Sequence, residues 1–406
     1  MLFGIDAEYI LEDLEGRLVS CHMLPSKGSY VPAKPLGHSP VIKDVGTYGC
    51  DGVFLEATSA PCTCRNHLFA TLWDSMATGL RDMTSRMNKR LVMNPATEVR
   101  LSRTEMGALP LSAHEVGCVP SQNIYGKPRG PEPGSIAGST RWTGLHLHFS
   151  GEDVPQPDEF IRYLDRTVGL VSVLMDSLPR EAARRRKNYG EAGCFRIREG
   201  IKMKPAVDAT GRFIPDEVTK QLVMVGEPAI ITEYRVPSGV LAYFRGPIYI
   251  LPALAKSAHR PEVRERILKV CSDRDIQQII NASDTERARE LVTKMSKAGD
   301  FDPYISLEFG SAAQGHRHLL PEFFARMGRL DNRPSEYWSV RDNPEREKYY
   351  RPQLLNDLAH RVYNTSLSGY STWSYDEKRK EVNHTWPHEK VIPIVPDSHV
   401  PPWPRQ

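Results

Sequence analysis

The chain has 406 residues, room for two or three domains, and 40% of them are hydrophobic, enough for a sizeable core. Its 53 lysines and arginines nearly balance 50 aspartates and glutamates, for a net charge of +3, which argues against a general nucleic-acid-binding surface. No run approaches the ~20 apolar residues of a membrane span. Asp6 and Glu8 interrupt the first apolar stretch and no basic region precedes it, so neither membrane association nor secretion is expected and the cytoplasm is the default location.

In chain order, Leu2 to Ile10 is short, apolar and punctuated by acids at alternate positions, which reads as a strand. Val53 to Ala60 reads as a second strand, ended by Pro61. Leu68, Leu72, Met76, Leu80, Met83 and Met87 recur at helical spacing, predicting one amphipathic helix over 65–90 whose methionines belong to the core. Residues 97–104 suggest a strand, and the Gly/Pro-rich stretch 126–139 a loop. Thr143 to Ser150 alternates with period two, a strong strand, and 158–178 reads as helix. The basic run Arg184-Arg185-Arg186-Lys187 follows; it is either a solvated helix end or a phosphate contact. A short strand is expected near Cys194–Arg198, then an insertion over 199–227, then a strand from Ala229 to Val236. Helices are expected at 239–256, 261–270, 273–282 and 284–298. The last 20 residues hold six prolines and should be extended, wrapping or docking.

Strands interleaved with long helices, without regular βαβ alternation, predict an α+β fold on an antiparallel or mixed sheet. Neither a P-loop nor a G-x-G-x-x-G motif occurs. The seven cysteines (21, 50, 62, 64, 118, 194 and 271) are odd in number in a long chain, so reduced thiols are expected. Cys62 and Cys64 with His67 and Cys50 could be drawn as a zinc site, but their spacing matches no common C-x2-C arrangement, and buried thiols are the simpler reading.

The chemistry-bearing residues lie on the strands. Asp6 and Glu8 are two apart and share a strand face. Two such carboxylates repel unless a cation sits between them, and Mg2+ or Mn2+ prefers oxygen ligands; the plain alternative is a solvent-facing edge. Glu56 repeats the theme in an otherwise apolar strand. In Gly144-Leu145-His146-Leu147-His148-Phe149-Ser150 the histidines take one face and the apolar residues the other, and imidazole can bind metal or donate to phosphate. Glu233 and Arg235 share a face too, as a cross-strand ion pair or as a metal ligand beside a phosphoryl clamp. Seven such groups on four strands need seven separate structural explanations, or one site for a metal-bound nucleotide.

The order D-x-E, then Glu after an apolar run, then G-x-H-x-H-x-S, then E-x-R resembles the glutamine synthetase and glutamate–cysteine ligase superfamily. More narrowly it resembles the carboxylate–amine ligase (amidoligase) family common in tailed-phage genomes. The blocks, in order, are Gly4 to Glu8, Asp51 to Glu56, Glu115 to Pro120, Gly144 to Ser150, Tyr189 to Gly193 and Glu233 to Ser238. The resemblance covers roughly residues 1–255, and the specificity lies in the order and spacing of short blocks.

It implies a curved antiparallel sheet with flanking helices, holding ATP with Mg2+ or Mn2+. Residues 1–255 would be catalytic, with 256–340 a helical extension and 341–406 an extended tail. Glu8 and Glu56 would hold one metal, and Asp6, His146 and Glu233 another. His148 would touch the ATP phosphates, and Arg235 would stabilise the transferred phosphoryl group. Arg185 and Arg186 are the candidate further phosphate contacts. The implied partners are a carboxylate and an amine, from small molecules to a peptide or protein, with a homo-oligomer in keeping with the superfamily and the host cytoplasm as location for a phage-encoded chain. The rival readings are a virion-associated or scaffold-type protein that keeps the fold, and a metal-dependent hydrolase.

Overall fold

The strand Leu2–Asp13 is the axis of a ten-stranded sheet. One edge pairs with Phe54–Thr58, which pairs with Thr47–Asp51 and then Val31–Pro32. The other edge pairs with Leu145–Ser150, then Met224–Tyr234, Cys194–Pro205 and Gln122–Asn123, while Leu18–Val19 and Leu91–Asn94 pair with its far end. Every one of these pairings is antiparallel. The protein is thus α+β, a large antiparallel sheet flanked by helices. The computed structural model describes residues 1–299, apart from stretches of which the longest are 34–44, 115–120, 127–137 and 215–223, together with three strands between 372 and 395.

Strict alternation decides which sheet face becomes core. Ile5, Ala7, Tyr9, Leu55, Ala57, Leu145, Leu147, Phe149 and Tyr234 point to one side and are buried. The helix Arg65–Met87 packs there, with Leu68, Leu72, Met76, Leu80 and Met83 inside as the spacing predicts. Each such fully buried side chain contributes about 1.5–3 kcal/mol. A second helix runs from Pro157 to Met175 through a π-turn at Asp165–Gly169. The Asp165 carboxylate accepts the Tyr234 hydroxyl at 2.6 Å, tying helix to sheet. A Cβ on Gly169 would lie 2.6 Å from that hydroxyl, so the turn needs glycine there.

Three expectations are modified. The strand expected over 97–104 is only Glu98–Arg100, because Ser102 and Glu105 form a capping box that starts the helix Arg103–Ala108. The ends of the expected insertion are paired strand: Cys194–Pro205 and Met224–Tyr234 run in unbroken register from Phe195 opposite Tyr234 to Pro205 opposite Met224. Glycines and prolines there hide the alternation, but main-chain pairing needs no apolar side chains once the arm leaves the core. The helices expected after 255 are present as Pro261–Leu268, Asp273–Ala282 and Thr285–Gly299. Of the tail, Thr372–Asp376, Glu381–Thr385 and Ile392–Val395 form their own three-stranded antiparallel sheet, and the rest lies outside the described residues.

Candidate active site

The face opposite the core gathers the charged residues by register alone. Asp6 lies across from His146 and Glu8 across from Glu56. His148 lies across from Glu233, which lies across from Arg196. Asp6, Glu8, Glu56, His146, His148, Glu233, Arg196 and Arg198 therefore share one continuous surface, with Arg235 just past the strand end. Most of it is sealed: Glu8, Glu56, His146, Glu233, Arg196 and Arg235 are all buried.

The surface has an acidic half and a cationic half. In the acidic half, burial first, then the charges of Asp51 and Glu56, push the Glu8 carboxyl well above the usual range. The Gly144 amide donates to it at 2.6 Å. Tyr30 covers the neighbouring acid, donating its hydroxyl to Glu56, and Gly49 makes room for the Tyr30 ring.

In the cationic half, Glu233 is surrounded. Arg198 approaches to 2.6 Å, Arg235 to 3.3 Å, His146 Nδ1 to 3.6 Å and Arg196 to 3.7 Å. Burial alone would raise the Glu233 carboxyl, but His148 and the three arginines outweigh it and hold it below its ordinary value. Neither Glu233 oxygen receives a well-directed hydrogen bond. Burial would likewise discharge His148, but Asp6, whose carboxylate is 3.1 Å from its Nε2, outweighs that and raises its pKa.

Arg185 and Arg186, expected as further phosphate contacts, are buried with partners inside the protein. Arg185 is fully buried, and its guanidinium donates to the carbonyls of Thr143, Val236, Arg235 and Pro237 at 2.7–3.2 Å. Arg186 is spent on Asp176 at 2.5 Å, with Ser172 and Ser283 beside it. Only Arg184 and Lys187 of that run behave as a solvated helix end, Arg184 meeting Glu98 at 2.6 Å.

Among the described residues, no three His, Cys, Asp or Glu groups converge in a geometry that would hold a metal ion. The two expected ligand sets differ in their need for one. Around Glu8 and Glu56 a divalent cation would relieve buried like charges, and their oxygens suit Mg2+ or Mn2+. Around Glu233 the positive charge comes from arginines, Asp6 faces His148, and the Nε2 of His146 faces Tyr189 at 2.7 Å. Of the second set, Asp6 is turned to His148, while His146 lies between Glu233 and Tyr189.

Sequence reasoning gave no role to Tyr30, Tyr189, Arg196 or Arg198, although Tyr189 opens one of the resemblance blocks. The last two were signalled by the alternation Cys194-Phe195-Arg196-Ile197-Arg198. The contacts of Tyr30 and Tyr189 come from loops, which carry no periodicity. The thiols of Cys21, Cys50, Cys194 and Cys271 are free, and the side chains of Cys62, Cys64, His67 and Cys118 and the block 115–120 lie outside the described residues.

No protein-family model matches the chain, and no curated protein does. Among solved structures it is similar to the crystal structure of the complex between the prokaryotic ubiquitin-like protein Pup and its ligase PafA, at TM-score 0.37 and 9% identity. The match covers 81% of this chain and 64% of that one, so the chain spans less than two thirds of that chain's length. A likeness this remote adds nothing to a functional assignment. Among the described residues, no helix is long and apolar enough to cross a membrane.

Proposed function

We propose that the chain is an ATP-dependent carboxylate–amine ligase. The observation that supports this reading best is the adjacency of the two halves on one sheet face. A buried acid pair lies beside a cluster of arginines and a histidine whose charged form Asp6 favours. That combination suits a cation-bound polyphosphate, whose metal would face the acids and whose phosphates would face the arginines. The order of the sequence blocks supports it independently.

When bound, ATP with Mg2+ or Mn2+ supplies a phosphoryl group that turns a carboxylate oxygen into a good leaving group. In this reading Glu8 and Glu56 hold the cation. His148, whose pKa Asp6 raises, donates to phosphate. Arg235 and Arg198 face the negative charge that grows on the transferring group, where a positioned donor typically contributes about 10²–10³ in rate. The largely buried floor excludes water that would compete with the amine.

The test is hydroxylamine capture. Protein, ATP, Mg2+, hydroxylamine and a set of carboxylates that includes peptides should yield a hydroxamate with ADP and phosphate. His148→Ala and Arg235→Ala should lower the yield. AMP and pyrophosphate as products would sink phosphoryl transfer. ATP hydrolysis without hydroxamate, unaffected by these variants, would point to a hydrolase. A protein whose melting temperature ignores ATP and Mg2+ would be a scaffold.

A further inference from the structure

The sheet face that carries Glu8 and Glu56 turns apolar two residues further on. Glu8 and Glu56 lie across from each other, and the next positions on that face are Ile10 and Phe54. Both belong to a small second core with Val53, Ala96, Val99 and Leu101. The ladder of Glu98–Arg100 with Thr140–Trp142 borders this core, and Arg141 lies directly across from Val99, so the two share a face.

Arg141 is 8% exposed, and among the described residues no carboxylate meets it. Its Nη2 lies 3.9 Å from the Met106 sulfur, a weak acceptor, and its buried Nη1 has no hydrogen-bond partner. Burial lowers its pKa, with no neighbouring charge to raise it. The other buried arginines are provided for: Arg166 has Asp273, Arg186 has Asp176, and Arg185 has its four carbonyls. A buried cation without an anion is costly, and the cost is removed by any anion that can reach it. The cover is thin. Met106 is only partly buried, and it belongs to the helix Arg103–Ala108, none of whose residues is buried. The guanidinium thus lies one flexible thioether below the surface.

We propose that Arg141 is the binding group of a carboxylate site in this second core, beside the acid pair. The guanidinium fork matches either a carboxylate or a phosphate. One cation among apolar residues balances one negative charge, whereas a phosphate dianion would leave a second charge uncompensated in an apolar setting. Ile10, Phe54 and Val99 suit an apolar stem behind the carboxylate. Giving this group to a substrate rests on the ligase reading. Asp6, His148 and the phosphate-facing arginines lie on one side of the acid pair and Arg141 on the other, so the carboxylate held here is not the one that is phosphorylated.

Urea unfolding at constant ionic strength tests this, with butyrate replacing chloride as the probe, butyramide as its uncharged counterpart and inorganic phosphate as the dianion. Butyrate should raise the unfolding midpoint of the wild type saturably, as a ligand of the native state does, and butyramide should not. That gain should be lost in Arg141→Met, while any effect of phosphate should be equal in both proteins. Without butyrate, Arg141→Met should unfold at the same urea concentration as the wild type or a higher one. No butyrate gain in the wild type, an equal gain in Arg141→Met, a larger Arg141-dependent gain from phosphate, or a less stable Arg141→Met overturns the proposal. If Arg141→Met fails to fold, Arg141→Lys takes its place: it keeps the charge without the fork and should lose most of the butyrate gain, and a full gain there overturns the proposal too. Hydroxylamine capture separates the two readings. A wild type that yields no hydroxamate counts against the ligase, while the butyrate result still decides the carboxylate site.

Discussion

Replacing Arg185 with methionine separates a structural brace from a ligand contact. The guanidinium donates to four main-chain carbonyls, those of Thr143, Val236, Arg235 and Pro237. Thr143 keeps a second donor in the Gly239 amide at 3.3 Å, and Pro237 keeps the Leu145 amide at 3.1 Å. The loss therefore falls on the carbonyls of Val236 and Arg235. A buried acceptor that loses its donor costs about 1–3 kcal/mol, so Arg185→Met should cost about 2–6 kcal/mol. The lower half of that range is favoured, because keeping this cation inside is itself unfavourable: burial lowers its pKa to about 10. Even about 2 kcal/mol is a large part of a typical 5–15 kcal/mol. Guanidinium chloride unfolding followed by circular dichroism measures it. Arg184→Met is the control, since an exposed ion pair such as Arg184–Glu98 contributes about 0–1 kcal/mol. If Arg185→Met stays within about 1 kcal/mol of wild type and instead loses nucleotide affinity, the brace is refuted and the guanidinium belongs to a phosphate.

Glu8→Gln should raise the melting temperature in the absence of divalent cations. The Glu8 carboxyl is pushed up by burial, Asp51 and Glu56, so its ionisation penalises the fold increasingly as pH rises above the unfolded value. The gain should therefore be larger at pH 8 than at pH 4.5, and equal curves at both would refute it. Asp165 is raised by burial from 3.8 to about 6, so the fold should lose roughly 3 kcal/mol between those two pH values, stability being fully present below the lower one. Asp165→Asn should remove that slope from a stability–pH profile while losing the charged acceptor for Tyr234. An unchanged slope would show that other groups carry it.

Much of the fold was legible because this sheet has one charged and one apolar face. Period-two alternation in Leu2–Ile10 and Leu145–Ser150 told which side chains share a surface, and antiparallel pairing then brought Asp6 beside His146 without further information. The long helices were legible from the spacing of Leu68, Leu72, Met76, Leu80 and Met83. What alternation cannot report is where a long cationic side chain ends. Arg184 and Arg185 are neighbours in the chain, yet a helix turns successive residues by about 100°, so one meets solvent and the other four buried carbonyls. Nor can it report contacts made across loops, which is how Tyr30 reaches Glu56 and Tyr189 reaches His146.

The central position of the strand Leu2–Asp13 also has a consequence for synthesis. One of its neighbours, Phe54–Thr58, leaves the ribosome early, but the other, Leu145–Ser150, is more than eighty residues later in the chain. At about 5–20 residues per second that is a wait of roughly 5–20 s. Throughout it, an edge bearing Phe3, Ile5 and Ala7 lacks its second neighbour and offers open main-chain donors and acceptors to any other extended chain. The long reach of the pairing predicts slow refolding. It also predicts that nascent chains stalled between residues 60 and 145 are the most prone to aggregate, and Asp6 and Glu8, alternating with the apolar residues on that same edge, place charges that discourage such pairing until the histidine strand arrives.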